Sequence, residues 1–327
     1  MSFITMVLGL VFAILGAKLL ISGGVSIAKR FNIPDLIIGS TIIAMGTSMP
    51  EVSVNVQSAL AGNTDLALGN IIGSNIFNIC MIIGVVALVT PLAIPVNAAS
   101  KDFPMCLIAA IVVGVAGNEL YFDGINYHEI MPSHGIIFLA FFYLFAHYTY
   151  EEAVEAHTGF RPARPSKELS DEILPTWRSL LYIVIGLVGL IFGGDFIVEG
   201  ATGIAERFGL SERVIGLLIV GPGTSFPELI AGIVAALNRK VDMVIGNVLG
   251  SNIINIFFTL GITSLILPVP LDLELNTAVV FNIVVTALLV AFAWLGRARR
   301  PIGRRLGAIL VLAYVLYILN SLGMVGL

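Results

Sequence analysis

The chain has 327 residues, of which 57% are hydrophobic and only 12% charged, and its mean hydropathy is +1.00. A soluble domain carries about 25% charged residues, so this composition defines a membrane protein. The net charge of −4 says little about partners, because the distribution of charge between loops matters more than its sum; it gives nucleic-acid binding no basic footprint, and no obligatory protein partner is evident.

A helix needs roughly 20 apolar residues to cross a bilayer. By that measure the sequence predicts ten spans, at about 2–22, 34–60, 65–90, 103–120, 131–149, 178–203, 213–237, 242–268, 276–296 and 305–324. The first of these lacks a basic leader and a small-residue cleavage site, so it reads as a span and not as a removable signal. Cys80 and Cys106 lie in apolar sequence and read as small hydrophobes. His128, His134, His147 and His157 sit at or near loops without the spacing of a metal pair.

The stretch 39–84 recurs without a gap at 216–261, always 177 positions downstream, with 19 identities in 46 positions. The identities cluster at Thr47, Ser48, Pro50 and Glu51, matched by Thr224, Ser225, Pro227 and Glu228, and again at GN--GSNI-NI. A duplication of this kind sets the architecture. The repeat unit is five spans, an odd number, so consecutive units enter the membrane from opposite sides. The chain therefore divides into a first five-helix repeat (1–149), a charged and proline-bearing cytosolic linker (150–177) and a second, inverted repeat (178–327). The fold class expected is an all-α integral membrane protein.

Loop charges follow the same count. Fourteen of the 17 basic residues fall on one side of it, Arg207 and Arg213 fall on the other, and Lys18 lies within the first span. The positive-inside rule makes the richer side cytoplasmic, with both termini outside, in the cell membrane. Lys18 aligns with Asp195, but inversion places them toward opposite interfaces, so no ion pair is expected.

Both copies put a carboxylate inside apolar sequence, which costs roughly 2.5–3.5 kcal/mol near the centre of a bilayer and marks a functional site by default. On a continuous helix Thr47, Ser48 and Glu51 share one face, as do Thr224, Ser225 and Glu228. Pro50 and Pro227 fall within these spans and are expected to release the carbonyls of residues 46 and 223. In the second motif, Gly69 and Gly73, and Gly246 and Gly250, allow close helix approach. Ser74 and Asn78, and Ser251 and Asn255, follow on one face each. All of these ligands are hard oxygen. Such a set suits Ca²⁺, whose two charges balance Glu51 and Glu228, and it also suits Na⁺.

The paired sequences GTSMPE with GNIIGSNIFN and GTSFPE with GNVLGSNIIN resemble the two α-repeats of the cation/Ca²⁺ exchanger superfamily, most closely its prokaryotic sodium/calcium exchangers. The resemblance implies ten helices in two inverted halves, with ions held by broken helices 2, 3, 7 and 8. It implies Ca²⁺ at Glu51 and Glu228 with the carbonyls of Thr47 and Thr224. It further implies Na⁺ sites that share Ser48, Ser74, Ser225, Ser251 and the carbonyls of Ala44 and Gly221. Two departures stand out. Gly221–Pro222 replaces the usual small-then-bulky pair, and Asn occupies both 78 and 255, where some relatives carry one Asp. The function implied is Ca²⁺ for Na⁺ antiport without a K⁺ requirement and without a cofactor, Ca²⁺ and Na⁺ being the substrates. A proton-driven Ca²⁺ antiporter is the alternative within transport. An intramembrane dicarboxylate enzyme is remote, because the symmetric cluster lacks a neighbouring base. A purely structural membrane protein would leave the buried glutamates unexplained.

Overall fold

The computed structural model describes residues 2–64, 67–118, 129–158, 173–209, 219, 221–271, 273–295 and 301–322. Arg161, Arg164, Lys167, Arg213, Arg297, Arg299, Arg300, His128, most of the linker and the start of the second copy at Gly216 lie outside the described residues.

The chain runs through α1 (Ser2–Phe31), α2 (Asp35–Thr47), α3 (Met49–Leu60), α4 (Ala67–Val89), α5 (Ala98–Ala116), β1 (Glu129–Ile130) and α6 (Pro132–His157). It continues through α7 (Thr176–Arg207), α8 (Gly221–Gly223), α9 (Phe226–Leu237), α10 (Val241–Ile266), β2 (Val269–Pro270), α11 (Leu273–Leu295) and α12 (Arg304–Ser321). Seven described helices are long and apolar enough to cross a membrane, or eight when α2 and α3 count as one bent span. The sequence count of ten also includes α6 and the stretch ending in α9. Tyr143, His147, Tyr148 and Tyr150 dilute the apolar character of α6, and most of residues 213–220 of the stretch ending in α9 lie outside the described residues.

Large apolar side chains cover the outside, among them Phe3, Leu8 and Phe12 on α1 and Leu181, Val184 and Phe192 on α7. The polar residues of the duplicated motifs are buried at the centre. This inversion of the soluble pattern is what a lipid solvent selects. The central helices α4 and α10 are the most enclosed.

The duplication extends to the backbone that ends the helices. Among the described residues the positive φ angles belong to Asn32 (55°), Gly62 (80°), Gly209 (73°) and Arg239 (61°), just past the ends of α1, α3, α7 and α9. They form two pairs at the 177 offset, 32 with 209 and 62 with 239. A left-handed residue is the common way to stop a helix, and glycine or asparagine takes that conformation at least cost.

Helices α1 and α7 pack antiparallel along their length. Cβ atoms added to Gly9, Gly16 and Gly23 would lie 2.7, 2.7 and 2.6 Å from the carbonyl oxygens of Gly193, Gly186 and Ser179. One added to Gly200 would lie 2.6 Å from Ser2 O. The register is constant over seven-residue steps, and these positions permit only glycine.

Loops gather at two ends. At one end Lys240 Nζ meets Asp35 Oδ2 at 3.0 Å, Arg30 donates to Leu174 O, Lys101 pairs with Glu152, and Leu92 bridges Ile302. At the other end β1 pairs antiparallel with β2, Thr64 donates to Pro268 O and Asn118 exchanges amide bonds with Asn276. The basic loop residues among these belong to the first set.

Candidate cation site

The second span is broken where the duplicated motif falls. Helix α2 stops at Thr47, Ser48 adopts φ −82° and ψ 3°, and α3 departs at 43°. Pro50 lies in the first turn of α3 and Pro227 in the first turn of α9. There the missing N–H has no intrahelical acceptor to lose and the ring has no preceding turn to strike. The sequence expectation of a proline inside a continuous helix, with Thr47, Ser48 and Glu51 on one face, is corrected accordingly: Ser48 and Ser225 occupy joints between helices. Helices α4 and α10, expected to be broken, instead run through with π-helical stretches at Asn78–Ile82 and Ile254–Leu260. Such bulges insert an extra residue into a turn and are frequent at functional sites.

Ser48 and Glu51 stand at the N-cap and third position of α3, as Ser225 and Glu228 do in α9. That is the pattern of a capping box, yet neither serine caps its own helix. Ser48 Oγ donates to Glu228 Oε1 at 3.2 Å, and Ser225 Oγ donates to Glu51 Oε1 at 3.2 Å. Each repeat thus secures the carboxylate of the other. Glu51 Oε1 also accepts from Ser74 Oγ at 3.3 Å, whereas Ser251, the counterpart of Ser74, has an unpartnered Oγ. Both glutamates lie in the first turn of a helix, where the macrodipole favours an anion by about 0.3–1 kcal/mol.

A frame of asparagines holds α4 against α10. Asn75 Nδ2 donates to Asn252 O and Asn252 Nδ2 donates to Asn75 O, each at 3.2 Å. Asn78 Nδ2 donates to Asn252 Oδ1 at 3.0 Å, and Asn255 Nδ2 donates to Asn75 Oδ1 at 3.1 Å. These bonds fix the amide orientations and leave Asn78 Oδ1 and Asn255 Oδ1 without partners. Thr47 Oγ1 reaches Asn247 Oδ1 and Thr224 Oγ1 reaches Asn70 Oδ1, each at 3.4 Å, repeating the symmetry. Asn70, Asn75, Asn247 and Asn252 carry no role in the sequence reading, although all four are identities of the duplication.

Glu51, Glu228, Ser48, Ser225, Ser74, Ser251, Asn78, Asn255, Thr47 and Ala44 are all fully buried, and Thr224 is partly so. Glu51 Oε2 and Glu228 Oε2 have no hydrogen-bond partner, and no Lys, Arg or His pairs with either carboxylate among the described residues. Removing an ion from water costs several kcal/mol unless it is compensated. A cation coordinated by both carboxylates, the free amide oxygens and Ser251 would supply that compensation. Gly221 opens α8, and the joint that follows differs between the copies: Ser225 N–H bonds Pro222 O, three residues back, whereas Ser48 N–H bonds Ala44 O, four back.

Glycine sets the approach of α2 to α10. A Cβ on Gly250 would lie 2.5 Å from Ser40 O, and one on Gly246 would collide with Leu36 O. Gly69 and Gly73 have no comparable backbone contact, and the residues equivalent to Leu36 and Ser40, at 213 and 217, lie outside the described residues.

A buried, duplicated cluster of carboxylate, hydroxyl and amide oxygens inside an apolar helical bundle is what an ion transporter would need, and known proteins are similar. The family model described as sodium/calcium exchanger protein matches residues 1–150 and 178–323. The chain is 35% identical over 323 residues to the putative antiporter CaxA of Alkalimonas amylolytica, covering 96% of each. It is 27% identical to the sodium/calcium exchanger MaX1 of Methanosarcina acetivorans, covering 97% of each. The solved structure of the sodium/calcium exchanger from Methanococcus jannaschii superposes with a TM-score of 0.80 at 28% identity, covering 97% of both chains. The chain belongs to the sodium/calcium exchanger family, whose members are exchangers of ions and not enzymes.

Proposed function

We propose that this protein exchanges Ca²⁺ for Na⁺ across the membrane by alternating access, without a requirement for K⁺. One observation carries the reading: two fully buried carboxylates, each held by the serine of the opposite repeat, keep their second oxygens unpartnered. Two negative charges match one Ca²⁺ or two Na⁺. The amides at Asn78 and Asn255 add oxygen without the further carboxylate that a K⁺-coupled cycle would use. Thr47 and Thr224 contribute backbone carbonyls to Ca²⁺, and the four serines with the carbonyls of Ala44 and Gly221 serve Na⁺. If more than two Na⁺ bind, the cycle is electrogenic, because the extra charge has no carboxylate to travel with.

In proteoliposomes an imposed Na⁺ gradient is expected to drive Ca²⁺ uptake, with choline replacing K⁺ on both sides. Flux driven by a pH gradient alone would instead identify proton antiport, and flux that vanishes without K⁺ would refute the reading.

The architecture proposed with it is ten crossings in two inverted five-helix halves, 1–149 and 178–327, joined by a cytosolic linker at 150–177, with both termini outside. The partition of the loops into two ends supports this, as does the placement of Lys29, Arg30, Lys101 and Lys240 at one of them. Single cysteines at Ser2 and at Ser166 should react with an impermeant reagent from opposite sides. Labelling from the same side would contradict the inversion.

A further inference from the structure

We infer that Asn55 and Thr259 form an accessory cation subsite one helical turn beyond Glu51 and Asn255, toward the membrane face that carries Ser2. The inference rests on the exchange reading above.

Asn55 is fully buried on α3 and its Nδ2 donates to Glu51 O at 2.7 Å, so the amide orientation is fixed and Oδ1 points away from the helix bond. That oxygen has no partner. Thr259 lies in the π-helical stretch of α10, is also fully buried, and its Oγ1 has no partner either. Helix α3 packs against this stretch. The other half of the molecule shows how the two positions relate. At the 177 offset Asn55 corresponds to Gly232 and Thr259 to Ile82, and a Cβ on Gly232 would lie 3.1 Å from Ile82 Cγ2. The equivalent positions face each other.

One half therefore lines this level with glycine and isoleucine, and the other with an amide and a hydroxyl oxygen. The hydroxyl could donate to the amide oxygen, yet neither atom has a hydrogen-bond partner, and the pseudo-symmetry with Gly232 and Ile82 assigns the two oxygens to one level between α3 and α10. A buried polar atom left unsatisfied is destabilising, and here both atoms are oxygens. With no carboxylate of its own, the pair suits a Na⁺ or Ca²⁺ ion that keeps part of its water shell, on its way to or from Glu51. The symmetry-related route lacks such a stop, so the two faces of the membrane should differ in apparent cation affinity.

The test uses full-length protein in proteoliposomes of established orientation, with half-saturating Ca²⁺ and Na⁺ measured from each face. The double substitution Asn55→Ala, Thr259→Val should raise both values about 5- to 100-fold at the Ser2 face, as expected for losing two contacts of hydrogen-bond strength. The opposite face should change less than about twofold by the same scale. Thr259→Ser, which keeps the hydroxyl, should stay close to wild type and guards against a packing effect. Equal changes at both faces would make the pair structural, and no change would make it a water site only; either overturns the inference. A wild type that carries no Ca²⁺ under any gradient would instead refute the exchange reading.

Discussion

Glu51→Gln and Glu228→Gln should each abolish Ca²⁺ exchange while the protein still inserts and folds. The glutamine amide can keep accepting the serine hydroxyl at Oε1, so the neutral variant loses charge and little else. With one carboxylate left, a divalent ion is half compensated in a dry site. Removing one partner of a buried charge pair costs about 3–5 kcal/mol, which corresponds to roughly a 10²- to 10³-fold loss of Ca²⁺ affinity or more. Without an ion the same substitution removes an uncompensated charge, so thermal stability in Ca²⁺-free detergent should hold or rise. Isotope flux and a melting curve together check this. Near-normal flux in either purified variant would defeat the assignment.

Gly246→Ala should be the most damaging single-methyl change in the bundle. Its added Cβ would meet Leu36 O and lie 2.9 Å from Ser40 N, backbone atoms that cannot rotate aside as a side chain can. Overpacking costs about 1–3 kcal/mol where neighbours yield, and these yield only if α2 separates from α10. Separation would carry Thr47 away from Asn247 and Ala44 away from Gly250, and so loosen the site. Gly73→Ala, with nothing within 4 Å of the added atom among the described residues, is the control and should be nearly silent. Detergent melting temperatures of the two variants decide the matter; equal values would remove the argument.

The duplication made much of this site legible. Glu51 and Glu228, their serines and the two amides were recoverable because identity at a constant offset singles out polar residues that hydropathy alone would penalise. The partner of each group was not recoverable: Ser48 looks like a cap for its own helix, and only the fold shows its hydroxyl crossing to Glu228. Asn75 and Asn252 were visible as identities but not as a frame, because their bonds run between helices 177 residues apart. The π-helical stretches leave no sequence signature, since they depend on a one-residue change in hydrogen-bond register. The proline was misplaced within the helix for a simpler reason: periodicity continues through residues 34–60, and hydropathy does not register a 43° bend.

The crossed serine bonds bear on ancestry. A gene encoding only the first half would produce Glu51 without Ser225, and Ser48 with no carboxylate to reach. On the inverted topology proposed above, two copies of that product could complete each other only by lying head to tail, which would require one polypeptide to insert both ways up. Fusion of the two genes removes that requirement, since each half can then evolve loop charges suited to its own fixed orientation. On that topology the residues free to diverge afterwards are those, such as Asn55 and its counterpart Gly232, whose surroundings ceased to be shared once inside and outside became different places.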